Sequence, residues 1–289
     1  MKAKLALGTA QFGLNYGINN KRGLIPQKEA CRILWDSVRS GIDTVDTAKV
    51  YGRSEKVIGL FIKQSGKNLK IISKLPKCKQ TEVPMIVKDS LRMLETKRLY
   101  GYLIHDFKDF MKNPGIWGQL RKQKKENKIK KIGFSLYFPE ELGYILKKGF
   151  DIDLVQVPFS IFDQRFTPYL SDLDKRGIEV HTRSIFLQGL VFKNPTSLKG
   201  SFLKIKPKLL ELNDISRKTN IPLAALCLNF TLLNKFVDKV VVGVDSLRNF
   251  KEIIEALDYS RKVESLLNSL FVFKETDENI ILPFRWKAA

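Results

Sequence analysis

Short apolar runs recur along the chain, separated by longer stretches whose apolar residues follow a helical spacing. The short runs lie at 4–8 (KLALG), 43–46 (DTVD), 70–74 (KIISK), 99–105 (LYGYLIH), 130–135 (KKIGFS), 153–157 (DLVQV), 178–182 (IEVHT) and 239–243 (KVVVG). Runs of this length and composition read as strands. Between the first two, 27–39 keeps Ala30, Ile33, Leu34 and Val38 on one helical face. Similar patterns occupy 53–64, 83–95, 114–127, 139–148, 168–176, 207–233 and 246–257, and Pro222 is expected to split the longest in two. Alternation of strand and helix means parallel strands joined by right-handed crossovers. Eight such units predict an α/β fold, a (β/α)8 TIM barrel, as a single domain over 1–289. An extra irregular segment, 184–206, follows the seventh strand, and 262–289 forms a tail.

Composition supports a large core: 44% of the 289 residues are hydrophobic and 28% charged, which excludes disorder as the main state. No G-x-G triplet, GxxxxGK[ST] or GxSxG occurs, which argues against doubly wound dinucleotide folds, P-loop enzymes and α/β-hydrolases. Cys31, Cys78 and Cys227 are scattered and read as reduced packing residues. The start MKAKLALGTA lacks the apolar core of a signal peptide. The longest apolar stretch, 221–233, contains Asn229 and Thr231 and is shorter than the ~20 residues of a spanning helix. A cytoplasmic protein without membrane insertion is therefore expected. His105 and His181 are the only histidines, so no metal site is expected.

Lys and Arg number 51 against 30 Asp and Glu, a formal charge of +21. The densest block, 121–131 (RKQKKENKIKK), has no interleaved aromatic residue and no zinc-finger or RNA-recognition signature accompanies it. A solvated lysine-rich face is the expectation, with no specific nucleic-acid partner. The excess would still attract a phosphorylated cofactor or an acidic substrate.

In a parallel barrel, chemistry collects where strands end. The predicted strands leave Gly8-Thr9, Asp46 with Tyr51 five residues on, Lys74, His105, Ser135, Gln156, Arg183-Ser184 and Gly243. Taken singly, each of these is commonly just a solvated or capping residue. Asp46, Tyr51, Lys74 and His105 together form a proton-donating set. A free phenol titrates near ~10, and a nearby ammonium lowers that value. Lys74 can be the cation, Asp46 can hold it, and His105 can orient a carbonyl oxygen by hydrogen bonding. Such a set protonates a carbonyl oxygen while a hydride, supplied by a nicotinamide, reaches the carbon. His181, inside a strand, reads as structural, and no second histidine is placed to activate Cys78 as a nucleophile. Tyr137, Phe159, Phe162 and Trp286 are candidate pocket aromatics, although aromatic residues more often pack the core.

Nine segments then occur in a telling order: Leu7–Gly13 (LGTAQFG), Gly41–Ala48 (GIDTVDTA), Tyr51–Glu55 (YGRSE), Ile72–Lys74, Leu103–His105, Ile132–Ser135 (IGFS), Val155–Val157, Arg183–Leu190 (RSIFLQGL) and Val241–Val244. In this order the chain resembles the aldo-keto reductase family over nearly its whole length. The resemblance implies Tyr51 as general acid/base, assisted by Asp46, Lys74 and His105. It implies NADPH as cofactor, with NADH open. Gly8, Thr9 and Asp46 would approach the nicotinamide ribose, and Ser135 and Gln156 the carboxamide. Arg183 stands where an aromatic residue often stacks on the nicotinamide, and a guanidinium can also stack. Ser184, Phe186 and Gln188 would follow the pyrophosphate, and Gly243, Val244, Asp245, Ser246, Asn249 and Glu252 the adenosine half.

The chain also departs from the family pattern. Leu136 replaces a common Asn, Gly243 lacks a cation for the 2′-phosphate, Asp245 adds a negative charge, and Ile253 replaces another Asn. Arg248 or Lys251 are the expected compensating cations. The expected activity is reduction of an aldehyde, ketone or sugar carbonyl. The start LGTAQFGLNYGINN and the RSIFLQGL stretch resemble a bacterial branch linked to sugar and polysaccharide metabolism. The alternative is a regulatory subunit that binds NADP(H) and senses redox state with little turnover. Segment 184–206, with Lys193, Lys199, Lys204 and Lys206, is expected to act as a cofactor clasp; its alternative is a rigid insertion packed by Leu190, Val191, Phe192 and Leu198.

Overall fold

The computed structural model describes residues 1–286, so residues 287–289 of the expected domain and tail lie outside the described residues. Eight parallel strands close into a barrel in sequence order. They are β1 (Leu5–Gly8), β2 (Thr44–Asp46), β3 (Lys70–Leu75), β4 (Leu99–Ile104), β5 (Ile129–Ser135), β6 (Leu154–Pro158), β7 (Glu179–Arg183) and β8 (Lys239–Gly243). The (β/α)8 expectation holds, with each strand within a residue of its predicted bounds. β7 ends one residue later than expected and therefore includes Arg183.

The helices are α1 (Gln27–Arg39), α2 (Ser54–Ser65), α3 (Val83–Met93), α4 (Phe107–Lys112), α5 (Gly115–Lys125), α6 (Pro139–Lys147), α7 (Thr167–Lys175), α8 (Lys206–Thr219), α9 (Leu223–Leu232) and α10 (Leu247–Glu255), followed by shorter helical turns up to residue 285. α1 buries Ala30, Ile33, Leu34 and Ser37, with Val38 half-buried at the edge of that stripe. Pro222 separates α8 from α9 as expected. Asn220 takes a left-handed conformation (φ 52°) that ends α8, and Pro222 precedes the first turn of α9. α9 is buried on every side from Ala225 to Leu232. Among the described residues no helix is long and apolar enough to cross a membrane.

Most apolar side chains pack between the strands and the surrounding helices. A second, smaller cluster joins Ile72, Leu103 and Leu154. These residues come from β3, β4 and β6, so they meet across the inside of the barrel and plug it beneath the strand ends. His181 is also buried. Its Nε2 lies 3.5 Å from a Glu179 carboxylate oxygen, too poorly aligned for a hydrogen bond, and its ring lines no part of the cavity described below.

Segment 184–206 is not irregular throughout. Residues 195–197 and 200–205 form 3₁₀ turns, and 187–192 holds shorter helical turns broken by a kink at Gln188 and Gly189. Leu190, Val191 and Leu198 are buried, whereas Phe192 is exposed. Lys204 already has an anionic partner in Asp277 at 2.8 Å, so it is not among the lysines waiting for one. In the basic block, Lys124 pairs with Asp153, Lys128 with Glu126 and Lys131 with Glu179, while Arg121, Lys122 and Lys125 face solvent.

Candidate active site

One cavity opens at the C-terminal end of the strands. Asp46, Tyr51, Lys74 and His105, from the ends of β2, β3 and β4 and the loop after β2, all line it. Parallel register sets their heights: Gly8 pairs with Asp46 and with Gly243, and Ser135 pairs with Gln156. Lys74 Nζ donates to Asp46 Oδ1 at 2.6 Å and to the Thr47 carbonyl at 3.0 Å. Its side chain is fully buried. Gln156 Nε2 donates to Asp46 Oδ2 at 2.7 Å, so both carboxylate oxygens are engaged. Beneath them a buried hydroxyl relay, Thr47 to Ser54 to Thr9, ends on the Asp46 carbonyl. These bonds fix the β1 and β2 ends against each other.

Tyr51 sits above this base. Lys74 Nζ lies 5.2 Å from its ring centroid, and His105 meets it edge-on at 6.0 Å. Two glycines let the chain bring Tyr51 here. A Cβ on Gly13 would fall 1.7 Å from the Tyr51 carbonyl, and Gly52 adopts a left-handed φ of 55° that an L side chain rarely takes.

The protonation states follow from burial. Burial pushes the Tyr51 phenol above its ordinary value, Asp46 pushes it further, and Arg183 opposes. The expected lowering by Lys74 does not prevail, because burial penalises the phenolate more than the nearby cations stabilise it. Tyr51 therefore holds its proton firmly in the resting site. Burial, then Lys74 and Arg183, lower His105 to about 3, so its ring is neutral at physiological pH. Burial also lowers Lys74, against the pull of Asp46.

The cavity brings together most of the residues singled out for cofactor binding: Gly8, Thr9, Asp46, Ser135, Gln156, Arg183, Ser184, Phe186, Gln188, Gly243, Asp245 and Asn249. Three others are not in its wall. Val244 is turned into the core, Ser246 caps α10 by accepting from Asn249 N, and Glu252 pairs with Arg248 one turn further on. Arg248 and Lys251 line a separate depression on α10 and so do not compensate for the missing cation from inside the cavity. Arg183 donates to the Leu136 carbonyl at 2.9 Å and lies 4.1 Å from the Tyr137 ring centroid. Of the four candidate pocket aromatics, Tyr137 alone lines the cavity. Phe159 and Phe162 are fully buried in the core, and Trp286 packs on Phe202.

Sequence reasoning missed Gln11, Tyr16 and Asn19, which also line the cavity. The β1–α1 loop carries them and folds onto segment 184–189. Gln188 Nε2 donates to the Tyr16 hydroxyl, Ile18 N to the Gln188 carbonyl, and Asn19 Nδ2 to the Gly189 carbonyl. Contacts across about 170 residues leave no local signal; only the quoted LGTAQFG motif pointed to Gln11. The facing segment is strained, since Ser184 (φ 63°), Leu187 (46°) and Gln188 (51°) are all left-handed. Runs of such conformations turn backbone N–H groups into concave anion sites.

Cys78 and Cys31 are half-buried and Cys227 is buried. Burial raises all three thiols, Cys227 to about 12, which suits packing rather than nucleophilic roles.

Comparison with known proteins agrees with this architecture. Residues 4–269 match the model of the aldo/keto reductase family. The uncharacterized oxidoreductase YqkF of Bacillus subtilis is 22% identical, over 92% of this chain and 95% of its own. The chloroplastic pyridoxal reductase of Arabidopsis thaliana is 22% identical, over 85% of this chain and 76% of its own. An aldo-keto reductase from Bacillus halodurans in its holo form superposes with a TM-score of 0.77 at 21% identity, covering 95% of this chain and 94% of that one. That last likeness shows the shared fold. The family match over most of the chain and the four polar residues gathered at the barrel mouth lead to one conclusion: this chain belongs to the aldo/keto reductase family and is an oxidoreductase.

Proposed function

We propose that the protein reduces an aldehyde, ketone or sugar carbonyl to an alcohol with a nicotinamide dinucleotide, and that Tyr51 is the general acid. The observation that carries this reading is the buried Lys74–Asp46 pair beneath the Tyr51 ring, with neutral His105 at its edge, all in one cavity.

The residues present fit a dinucleotide. Gln11 Oε1 is buried without a hydrogen-bond partner beside Gly243, and a Cβ on Gly243 would meet the Gln11 amide at 3.1 Å. The cavity wall there is therefore polar, narrow and incompletely satisfied. Ser135 and the Gln156 side-chain amide suit a carboxamide, the segment 184–188 with its three left-handed residues suits a pyrophosphate, and Asp245 and Asn249 suit the adenosine ribose. When bound, the nicotinamide supplies a hydride to the carbonyl carbon.

The chain's own residues handle the proton. His105, neutral, donates one ring N–H to the carbonyl oxygen and sets its position. Tyr51 then gives its phenolic proton to that oxygen as negative charge develops there. Lys74 stabilises the resulting phenolate, an interaction that strengthens only as the proton leaves. Asp46, bonded to Lys74 and Gln156, keeps the ammonium in place. The high affinity of Tyr51 for its proton means that the acid is fully loaded at neutral pH.

The names of two relatives, a pyridoxal reductase and a glyoxal reductase, support a small carbonyl substrate. A panel of aldehydes, ketones and reducing sugars, followed by nicotinamide absorbance, tests the reading. Turnover of at least one carbonyl is expected. Dinucleotide binding with no turnover anywhere in a broad panel would remove the assigned activity.

A further inference from the structure

The cavity continues from Tyr51 to the start of α10, where Asp245 and Asn249 line it. We infer that this chain selects NADH over NADPH, because the Asp245 carboxylate lines the cavity at the start of α10 and the Glu29 carboxylate stands beside it on Leu247 N. The inference rests on the dinucleotide reading above.

The N-terminal N–H groups of a helix ordinarily welcome an anion. In α10 two of them, on Leu247 and Asn249, are already engaged by side chains. Glu29 Oε1, reaching over from α1, accepts from Leu247 N at 3.0 Å. Ser246 Oγ accepts from Asn249 N at 3.1 Å. The protein thus supplies its own carboxylate where an external phosphate would bind.

Two of the neighbouring cations are also taken. Arg22, from the β1–α1 loop, grips Glu29 with two bonds of 3.0 and 2.8 Å and touches the Asp245 carbonyl at 3.3 Å. Arg22 holds the Glu29 carboxyl below its ordinary value, so Glu29 stays ionised. Arg248 pairs with Glu252 at 3.0 Å and faces the outer depression.

A 2′-phosphate at this end of the cavity would bear the field of Asp245 and of the nearby Glu29. A ribose 2′-hydroxyl has neither difficulty. It can donate to Asp245, whose Oδ1 already accepts from Ser246 Oγ while its other oxygen has no hydrogen-bond partner among the described residues. In doubly wound dinucleotide folds a carboxylate on the ribose 2′-hydroxyl plays the same part. Specificity then comes from repelling the competitor as well as binding the chosen ligand.

The test is direct titration of NADH and of NADPH into the protein, read by quenching of intrinsic tryptophan fluorescence, so that no substrate is needed. NADH is expected to bind at least about tenfold more tightly than NADPH. Glu29→Gln keeps an acceptor for Leu247 N but removes the charge, and Asp245→Ser removes the second carboxylate. Each should tighten NADPH, and together they should bring the two dissociation constants to within about threefold of each other. Equal or tighter NADPH binding by the wild type overturns the inference without a variant having to fold. An NADH preference that survives both substitutions overturns the assignment to these carboxylates. Binding of neither dinucleotide would instead remove the dinucleotide reading itself, a distinguishable result.

Discussion

Replacing Lys74 by Met removes one half of an ion pair from the barrel interior. Lys74 is fully buried and bonded to Asp46 and Thr47, while Asp46 keeps Gln156 Nε2 as its other side-chain partner. Met approximates the volume of the lost side chain, so the main cost is electrostatic. Stranding a buried charge in this way costs about 3–5 kcal/mol. With about 2.1 cal/mol/K of unfolding entropy per residue, 289 residues give about 0.6 kcal/mol/K. The melting temperature should therefore fall by about 5–8 °C. Adding Asp46→Asn removes the stranded charge while leaving an acceptor for Gln156. The double variant should recover all but about 1–2 kcal/mol of stability. Turnover should not recover: kcat/KM should stay down by about 100-fold or more in both. Calorimetry and steady-state kinetics on wild type, single and double variants separate the two effects. A single variant melting with the wild type would refute the buried pair. A double variant regaining turnover along with stability would refute the part assigned to Lys74 in proton donation.

The pH dependence has a defined sign. His105 titrates at about 3 when folded against 6.5 when free, so the unfolded chain binds the extra proton between those values. Its contribution to stability is complete above 6.5 and drains away as pH falls toward 3, at up to about 1.4 kcal/mol per pH unit. In acid melts His105→Gln should flatten that slope by one proton, and an unchanged slope would mean that the ring is solvated. Gly13→Ala should lower kcat and cost about 1–3 kcal/mol, because the new methyl meets the Tyr51 carbonyl; wild-type stability would show that the loop yields freely. We expect a saturating dinucleotide to slow hydrogen exchange over 184–189, where the strained backbone faces the cavity, and to leave the turn at 195–198, which lines no part of it, unchanged. Equal protection of 184–189 in both states, with ligand bound, would rule out a clasp.

The barrel was legible because each strand is a short apolar run and each helix keeps an apolar stripe, and both patterns depend on near neighbours. Pro222 broke α8 from α9 where its ring predicts. α4 escaped notice because six residues hold only one apolar repeat, Phe107 with Phe110; its start depends on the Asp106 side chain accepting from Lys108 and Asp109 N–H groups. The 3₁₀ turns of 187–205 have no comparable periodicity. Asp46, Tyr51, Lys74 and His105 were legible as strand-end chemistry, but their protonation was not. Whether Lys74 or burial governs Tyr51 depends on solvent exclusion, which the whole fold decides. Glu29 at the start of α10 was invisible for the same reason, since 218 residues separate it from Leu247.

The central claim is that the Tyr51 hydroxyl delivers the proton. Tyr51→Phe removes that one oxygen and leaves the ring against Lys74 and His105. Dinucleotide affinity and single-turnover hydride transfer should be measured on the same preparation. The account predicts a dissociation constant within about twofold of wild type and a transfer rate lower by about 10²–10⁴. Near wild-type transfer by the phenylalanine variant would contradict it.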